Sequence, residues 1–299
     1  MRSRSSTLRL ELSAAPARPR PRWADVAAAA PVWLAAALVA AAFAWIVVDL
    51  ALGGLSALSW SFLVEAPERA GRAGGIAPIL VSTLLILGTC IAVAMPLGLG
   101  TAVLLAEFTR SDGAFARAVS FSLDVLAGVP SIVFGLFGHA FFCQALGLGY
   151  SILAGGLTLA CMTLPILVRS IELGLRSVPD DYRLAGAALG VTRTRLVARV
   201  LLPAAAPALV AGLMLGIGRA LAETAALIFT AGYVDRMPSS LLDSGRALSL
   251  HVYDLAMNVP GGERNAYASA LVLVGLLLAI HALAYGASER LLSRRVQPS

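Results

Sequence analysis

Arg219 and Glu223 stand four residues apart in GIGRALAETAALIFTAG, Gly216 to Gly232, a stretch otherwise free of charge. On a continuous α-helix, positions four apart share a face, about 6 Å apart along the axis. That face would also carry Gly212, Gly216, Ala226 and Thr230, and the two glycines form a small-xxx-small pair suited to close helix packing. A lone arginine at mid-bilayer costs roughly 2.5–3.5 kcal/mol on insertion scales. A neighbouring carboxylate offsets part of this, yet an apolar pair would cost nothing. Two uses therefore stand side by side. One is an internal ion pair that orients helices. The other is a polar point on a transport route, where the planar guanidinium suits phosphate-like oxyanions at any working pH. Glu223 would then hold the arginine between visits by the anion, or repel the wrong charge state. Thr224 and Thr230 complete this candidate set.

The chain around the pair is strongly apolar: 59% hydrophobic and 13% charged. Soluble domains are nearer a quarter charged, so the composition favours the membrane class. Six windows approach the ~20 apolar residues that a span requires: Pro31–Leu52, Ile76–Leu105, Ala118–Phe142, Ser151–Val168, Ala204–Ala231 and Ala266–Ala287. The expected fold is an all-α polytopic membrane protein with six transmembrane helices. Its expected divisions are a disordered basic arm (1–23), a first helix with its outer loop (24–75), a transmembrane core (76–287) that includes a polar segment at 170–203, and a tail (288–299). Pro130-Ser131 should break the third span and free backbone carbonyls near a pathway, which adds Ser131 to the candidates.

All 23 basic residues are arginine. Without lysine the chain cannot build a Walker A loop or a Schiff base, so any ATP, with its Mg2+, must be bound by a partner. Seventeen arginines precede span one, follow span six, or lie between spans two and three or four and five. Only Arg69, Arg72, Arg236, Arg246 and Arg264 fall on the opposite side. This bias predicts a multi-pass protein with both termini cytoplasmic. The net charge of +6 is explained by topology, and no nucleic-acid partner is expected. Cys90, Cys143 and Cys161 lack metal-ligand spacing, as do the scattered His139, His251 and His281, so no metal site is expected.

Between spans four and five, RSIELGLRSVPDDYRLAGAALGVTRTRLVARVLLP (Arg169–Pro203) is punctuated as two short helices. Asp180 and Asp181 fall in a first turn, Gly190 supplies a stop, and Thr192 can cap the next helix. A basic amphipathic loop on anionic lipid and a docking element for a cytoplasmic partner both fit this pattern. The segment resembles the EAA loop of bacterial ABC-importer permeases, with Leu184-Ala185-Gly186 at the Glu-Ala-Ala positions and the spacing from Gly190 to Pro203 intact. Leu184 replaces the acid and Gly186 the second alanine, and Asp180 or Asp181 could substitute for the missing charge.

GRALAETAALIFTAG (Gly218–Gly232) is similar to the fifth-span signature of PstA-type permeases of phosphate ABC importers. Ala222 and Ala226 replace a usual glycine and proline, which predicts a straighter helix here. AGVPSIVFGLFG (Ala127–Gly138), LPILVRSIELGLRSVP (Leu164–Pro179) and Ser82–Phe108 carry the same resemblance. It implies the type I, MetI-like permease architecture in the bacterial inner membrane, with coupling helices between spans four and five. Asp180, Asp181, Leu184, Ala185, Gly186, Gly190 and Pro203 would contact the ATPase. It implies a second, PstC-type permease chain, a PstB-type ATPase dimer, a PstS-type phosphate-binding protein, and inorganic phosphate as substrate. This chain itself would catalyse no bond chemistry. A permease for sulfate or molybdate is the nearest rival. An intramembrane enzyme built on His139 with Ser131 or Asp124 is the distant one, and no G-x-S-x-G or H-E-x-x-H motif supports it.

Overall fold

The computed structural model describes residues 22–110 and 112–293. Most of the expected basic arm and the end of the expected tail lie outside them. The chain divides into two compact units, Met1–Asp49 and Leu50–Ser299. The first is represented by most of α1 (Arg22–Gly54), an apolar helix whose Trp33 and Trp45 are exposed.

The second unit is almost wholly helical. After α2 (Trp60–Val64), a two-residue hairpin pairs β1 (Pro67–Glu68) with β2 (Ala73–Gly74). Then comes α3 (Ala77–Val103), which runs unbroken through Pro96 into a π-helical turn at Leu104–Phe108. Next are α4 (Ala114–Gly128) and α5 (Ser131–Gly138), the latter continued by a π-helical segment at His139–Ala145. The long α6 (Ile152–Arg176) leads to α7 (Asp181–Ala188), α8 (Arg193–Leu196) and a π-helical turn at Val197–Leu201. The chain closes with α9 (Leu202–Ala204), α10 (Ala206–Leu221), α11 (Ala225–Ile228), α12 (Leu248–Met257) and α13 (Glu263–Ser293).

Among the described residues, four helices are long and apolar enough to cross a membrane: Ala29–Gly54, Ala77–Phe108, Ile152–Arg176 and Glu263–Gly286. Two bent pairs raise this to six if each counts as one span. Ala114–Gly128 meets Ser131–Ala145 at 104°, and Arg193–Ala204 meets Ala206–Leu221 at 70°. The first bend falls at Val129-Pro130, where proline removes a donor and pushes the preceding residue out of helical geometry. The second follows Pro203 and centres on Ala205.

At the centre, α6 packs against α3 and α10 through small residues. In lipid, where burying apolar surface gives helices little reason to associate, close backbone approach supplies the packing energy. A Cβ at Gly156 would lie 2.5 Å from Thr89 Cβ and 3.0 Å from Ile86 O, so α3 and α6 touch backbone to backbone. A Cβ at Gly212 would lie 2.6 Å from Ser170 Cβ, which seats α10 on the same helix. The amide of Ser151 donates to Thr230 O at 3.0 Å, and those of Ile152 and Leu153 donate to Asp243 O and Leu241 O at 2.9 and 2.8 Å. The start of α6 is therefore satisfied by distant carbonyls, as buried donors require.

Candidate functional site

The helix that carries Arg219 stops before Glu223. It ends at Leu221, with Ala222 as its cap, and a new short helix begins at Ala225. The straight fifth span expected over Ala204–Ala231 is thus replaced by α10, a break and α11. Glu223 is buried in the break, and its Oε1 accepts the Ala226 amide at 3.1 Å. Its carbonyl accepts the Ser249 hydroxyl, from the first turn of α12, at 2.6 Å. These two bonds do the work that a continuous helical ladder would have done, so neither a glycine nor a proline is needed at the break.

The expected Arg219–Glu223 ion pair does not form. Among the described residues Arg219 makes no hydrogen bond or ion pair. It is the last member of an exposed stripe on α10, Pro207, Ala211, Leu215 and Arg219, at four-residue steps.

The remaining candidates on this segment are divided. Thr224 is half-buried at the start of α11, where its carbonyl accepts the Ile228 amide at 3.1 Å. Thr230 is fully buried, and its hydroxyl donates to Ala226 O at 2.9 Å while its carbonyl caps α6. It is a packing residue between α5, α6 and α11; a place on an open route is not where the structure puts it. Ser131 is half-buried at the start of α5, directly after the 104° bend. Helix α11 lies against α5, since a Cβ on Gly135 would meet Ala226 Cα at 2.8 Å. His139 is engaged at both ring nitrogens: Nδ1 lies 3.1 Å from Phe229 O and Nε2 lies 3.0 Å from Gln144 Nε2. Neither contact joins it to Ser131 or Asp124.

The second group lies on α7 and α8. Asp180 sits before α7, 88% exposed, and pairs with Arg183 at 3.1 Å; Asp181 opens the helix and is also exposed. Leu184 and Leu189 are 67% and 80% exposed beside Tyr182 and Ala185. Gly186 is buried on the other side, where a Cβ would lie 2.8 Å from Leu196 Cδ1, so the two short helices close on each other at this point. Gly190 ends α7 with φ +66°, its amide donating to Ala187 O and that of Val191 to Gly186 O, a Schellman stop that satisfies the last carbonyls. Pro203 lies in the first turn of α9.

Residue-by-residue reading of the sequence missed the ionic ties behind this segment. Arg183 Nη2 and Nε grip the buried Glu107 carboxylate at 2.6 and 3.2 Å. Arg169 ties α4 to α6 by bonding Asp124 at 2.8 Å and Glu172 at 3.1 Å, and Arg176 adds a 2.8 Å pair with Glu172. The signal that could have found them is Glu107 itself. A carboxylate at the end of an apolar run needs a partner, and the arginines of the polar segment after span four, with Arg183 76 residues on, are the candidates.

Four long apolar helices, two bent pairs and a cluster of short helices between long ones mark a multi-helix membrane protein. The sequence matches the family described as binding-protein-dependent transport system inner membrane component over residues 94–298, and the chain belongs to that family. It is a transport component rather than an enzyme. It is 33% identical to the probable ABC transporter permease protein YqgI of Bacillus subtilis, covering 81% of this chain and 87% of that one. It is 35% identical to the phosphate transport system permease protein PstA of Mycobacterium leprae, over 79% of this chain and 77% of that one. Among solved structures, it is similar to the inward-facing MetNI methionine ABC transporter, with TM-score 0.53 and 20% identity, over 74% of this chain and 97% of that one. A bacterial ABC transporter involved in alginate import gives TM-score 0.60 at 14% identity, over 90% and 98%. These likenesses establish the fold as that of MetI-like permease chains.

Proposed function

We propose that this chain is the membrane permease subunit of an ATP-driven phosphate importer. The carrying observation is the 35% identity to PstA permeases across 79% of the chain. A free guanidinium at the end of an otherwise apolar helix stripe supports the reading. Facing acyl chains, that charge would cost roughly 2.5–3.5 kcal/mol. Facing a second permease chain across a polar path, it offers an oxyanion a planar fork of N–H donors.

In this reading the exposed stripe of α10 meets a PstC-type partner, and Arg219 contributes to the route between them. Glu223 holds the break that places Arg219 at a helix end, with Thr224 beside it. Asp180, Asp181, Leu184 and Ala185 dock on a PstB-type ATPase dimer, which binds the ATP and Mg2+. Gly186, Gly190 and Pro203 shape the docking segment. A PstS-type protein delivers phosphate on the outer side, and both termini lie in the cytoplasm, a reading supported by the arginine distribution. ATP-driven movement of α7 and α8 then alternates access to the Arg219 region.

The test is uptake of labelled phosphate by proteoliposomes holding the full complex, with excess sulfate or molybdate as competitor. Uptake that resists both competitors is expected. Uptake displaced by either, or absent while that anion is carried, overturns the assignment.

A further inference from the structure

We propose that the Glu107–Arg183 pair is the joint that transmits movement of α7 to α3, which makes both of them positioning residues for transport. The proposal rests on the permease reading above.

Arg183 spends every donor it has. Nε and Nη2 fork onto Glu107 Oε2 and Oε1 at 3.2 and 2.6 Å. Nη2 also donates to Leu175 O at 2.9 Å, and Nη1 donates to Val178 O at 2.8 Å and Asp180 Oδ1 at 3.1 Å. Those bonds account for all five guanidinium N–H groups. One side chain thus binds α7, the end of α6 and the end of α3 together.

Glu107 is what makes this tie resist separation. Its side chain is only 6% exposed, and no other cation is paired with it among the described residues. Pulling Arg183 away would strand a buried carboxylate, so the end of α3 must follow α7. The Asp180–Arg183 contact has no such hold, because Asp180 is 88% exposed and screened by solvent. Glu107 also lies within the π-helical turn Leu104–Phe108, a wider turn often found where a helix must re-aim a functional side chain.

From Glu107 the path runs along α3 to α10. Leu87, Cys90, Ile91 and Ala94 of α3 pack in one apolar cluster with Leu213, Ile217 and Ala220 of α10, the residues that flank Arg219 along that helix. A displacement of α3 along its axis therefore reaches the helix that carries the free guanidinium. Gly186 against Leu196 also joins α7 to α8, and α8 meets the end of α3 through apolar packing of Leu196 with Ala102 and Leu105 and through Arg193 over the Phe108 ring. Those contacts can slide without stranding a buried charge.

The test reconstitutes the whole complex in proteoliposomes and measures ATP hydrolysis and phosphate uptake in parallel. Arg183→Lys keeps the charge but cannot fork, and Glu107→Gln removes the buried charge. In both, hydrolysis should persist while uptake falls, so that ATP consumed per phosphate imported rises about tenfold. An unchanged ratio, or hydrolysis and uptake falling in equal proportion, overturns the joint. If Arg183→Lys does not assemble, Glu107→Asp keeps the charge on a shorter arm and is read by the same ratio. A wild-type complex that hydrolyses ATP but imports no phosphate would instead sink the phosphate reading.

Discussion

The Glu223 carboxylate accepts the Ala226 amide at 3.1 Å and so serves as the cap of α11. Its neighbour in sequence, Arg219, is left to face outward from the end of α10. A cap and an ion-pair partner respond differently to mutation. Glu223→Gln keeps an acceptor oxygen and should unfold within experimental error of the wild type. Glu223→Ala loses the cap, which should cost about 0.5–2 kcal/mol. Thermal unfolding of the purified complex separates the two cases; equal loss in both variants would mean that the charge itself matters.

Arg219 has no partner within the described chain, so replacing it should leave the fold intact and remove transport. Arg219→Gln is expected to abolish phosphate uptake with normal recovery of all subunits. Arg219→Lys keeps a point charge without the fork and should reduce uptake about tenfold. Normal uptake by the Gln variant would show the arginine to be idle.

The contrast between these two residues shows what was legible in the sequence. Continuous apolar windows place α1, α3, α6 and α13, because each satisfies its backbone internally and needs no distant partner. The bend at Pro130 is equally readable, since proline acts locally. The break at Glu223 is not. It is held by Ser249, 26 residues away, and the Ala222 and Ala226 substitutions suggest the opposite, a straighter helix. The Glu107–Arg183 fork spans 76 residues and leaves no local pattern in either segment. Thr230 matches a transport signature in sequence, yet its hydroxyl is consumed within its own helical turn.

Backbone contact between α3 and α6 should be the most mutation-sensitive packing in the core. Gly156→Val would drive a branched side chain into Thr89 and into the Ile86 carbonyl, which cannot retract without parting the helices. The expected loss is about 1–3 kcal/mol. Gly88→Ala on the same α3 meets nothing within 4 Å and serves as the neutral control. Comparable melting shifts in both variants would contradict the close approach.

Docking of the ATPase should depend on the exposed apolar face of α7. Leu184→Asp and Leu189→Asp leave the buried side of the segment untouched and should reduce ATPase-subunit recovery in pulldowns. Gly190→Leu acts through backbone geometry, because φ +66° costs a residue with a Cβ about 1–2 kcal/mol and loosens the stop of α7. It should weaken retention as well. Full recovery in all three would place the ATPase elsewhere.

A pH effect is expected from His251, which is buried on α12, outside the candidate spans. Burial disfavours its cation, and Arg246, whose Nη1 lies 3.5 Å from His251 Nδ1, adds repulsion that Asp254 only partly opposes. The imidazole is pushed down from 6.5 to about 4. Between those values the unfolded chain binds a proton that the folded chain refuses, so folding stability rises with pH across the interval. This contribution is complete above about pH 6.5 and is lost as pH falls towards 4. At one-and-a-third kcal/mol per unit its ceiling is about 3 kcal/mol. Melting of the purified complex, followed from neutral pH down to about pH 4.5, should show this acid sensitivity, and His251→Gln should flatten it. A Gln variant with the same pH profile as the wild type would assign the effect to other groups.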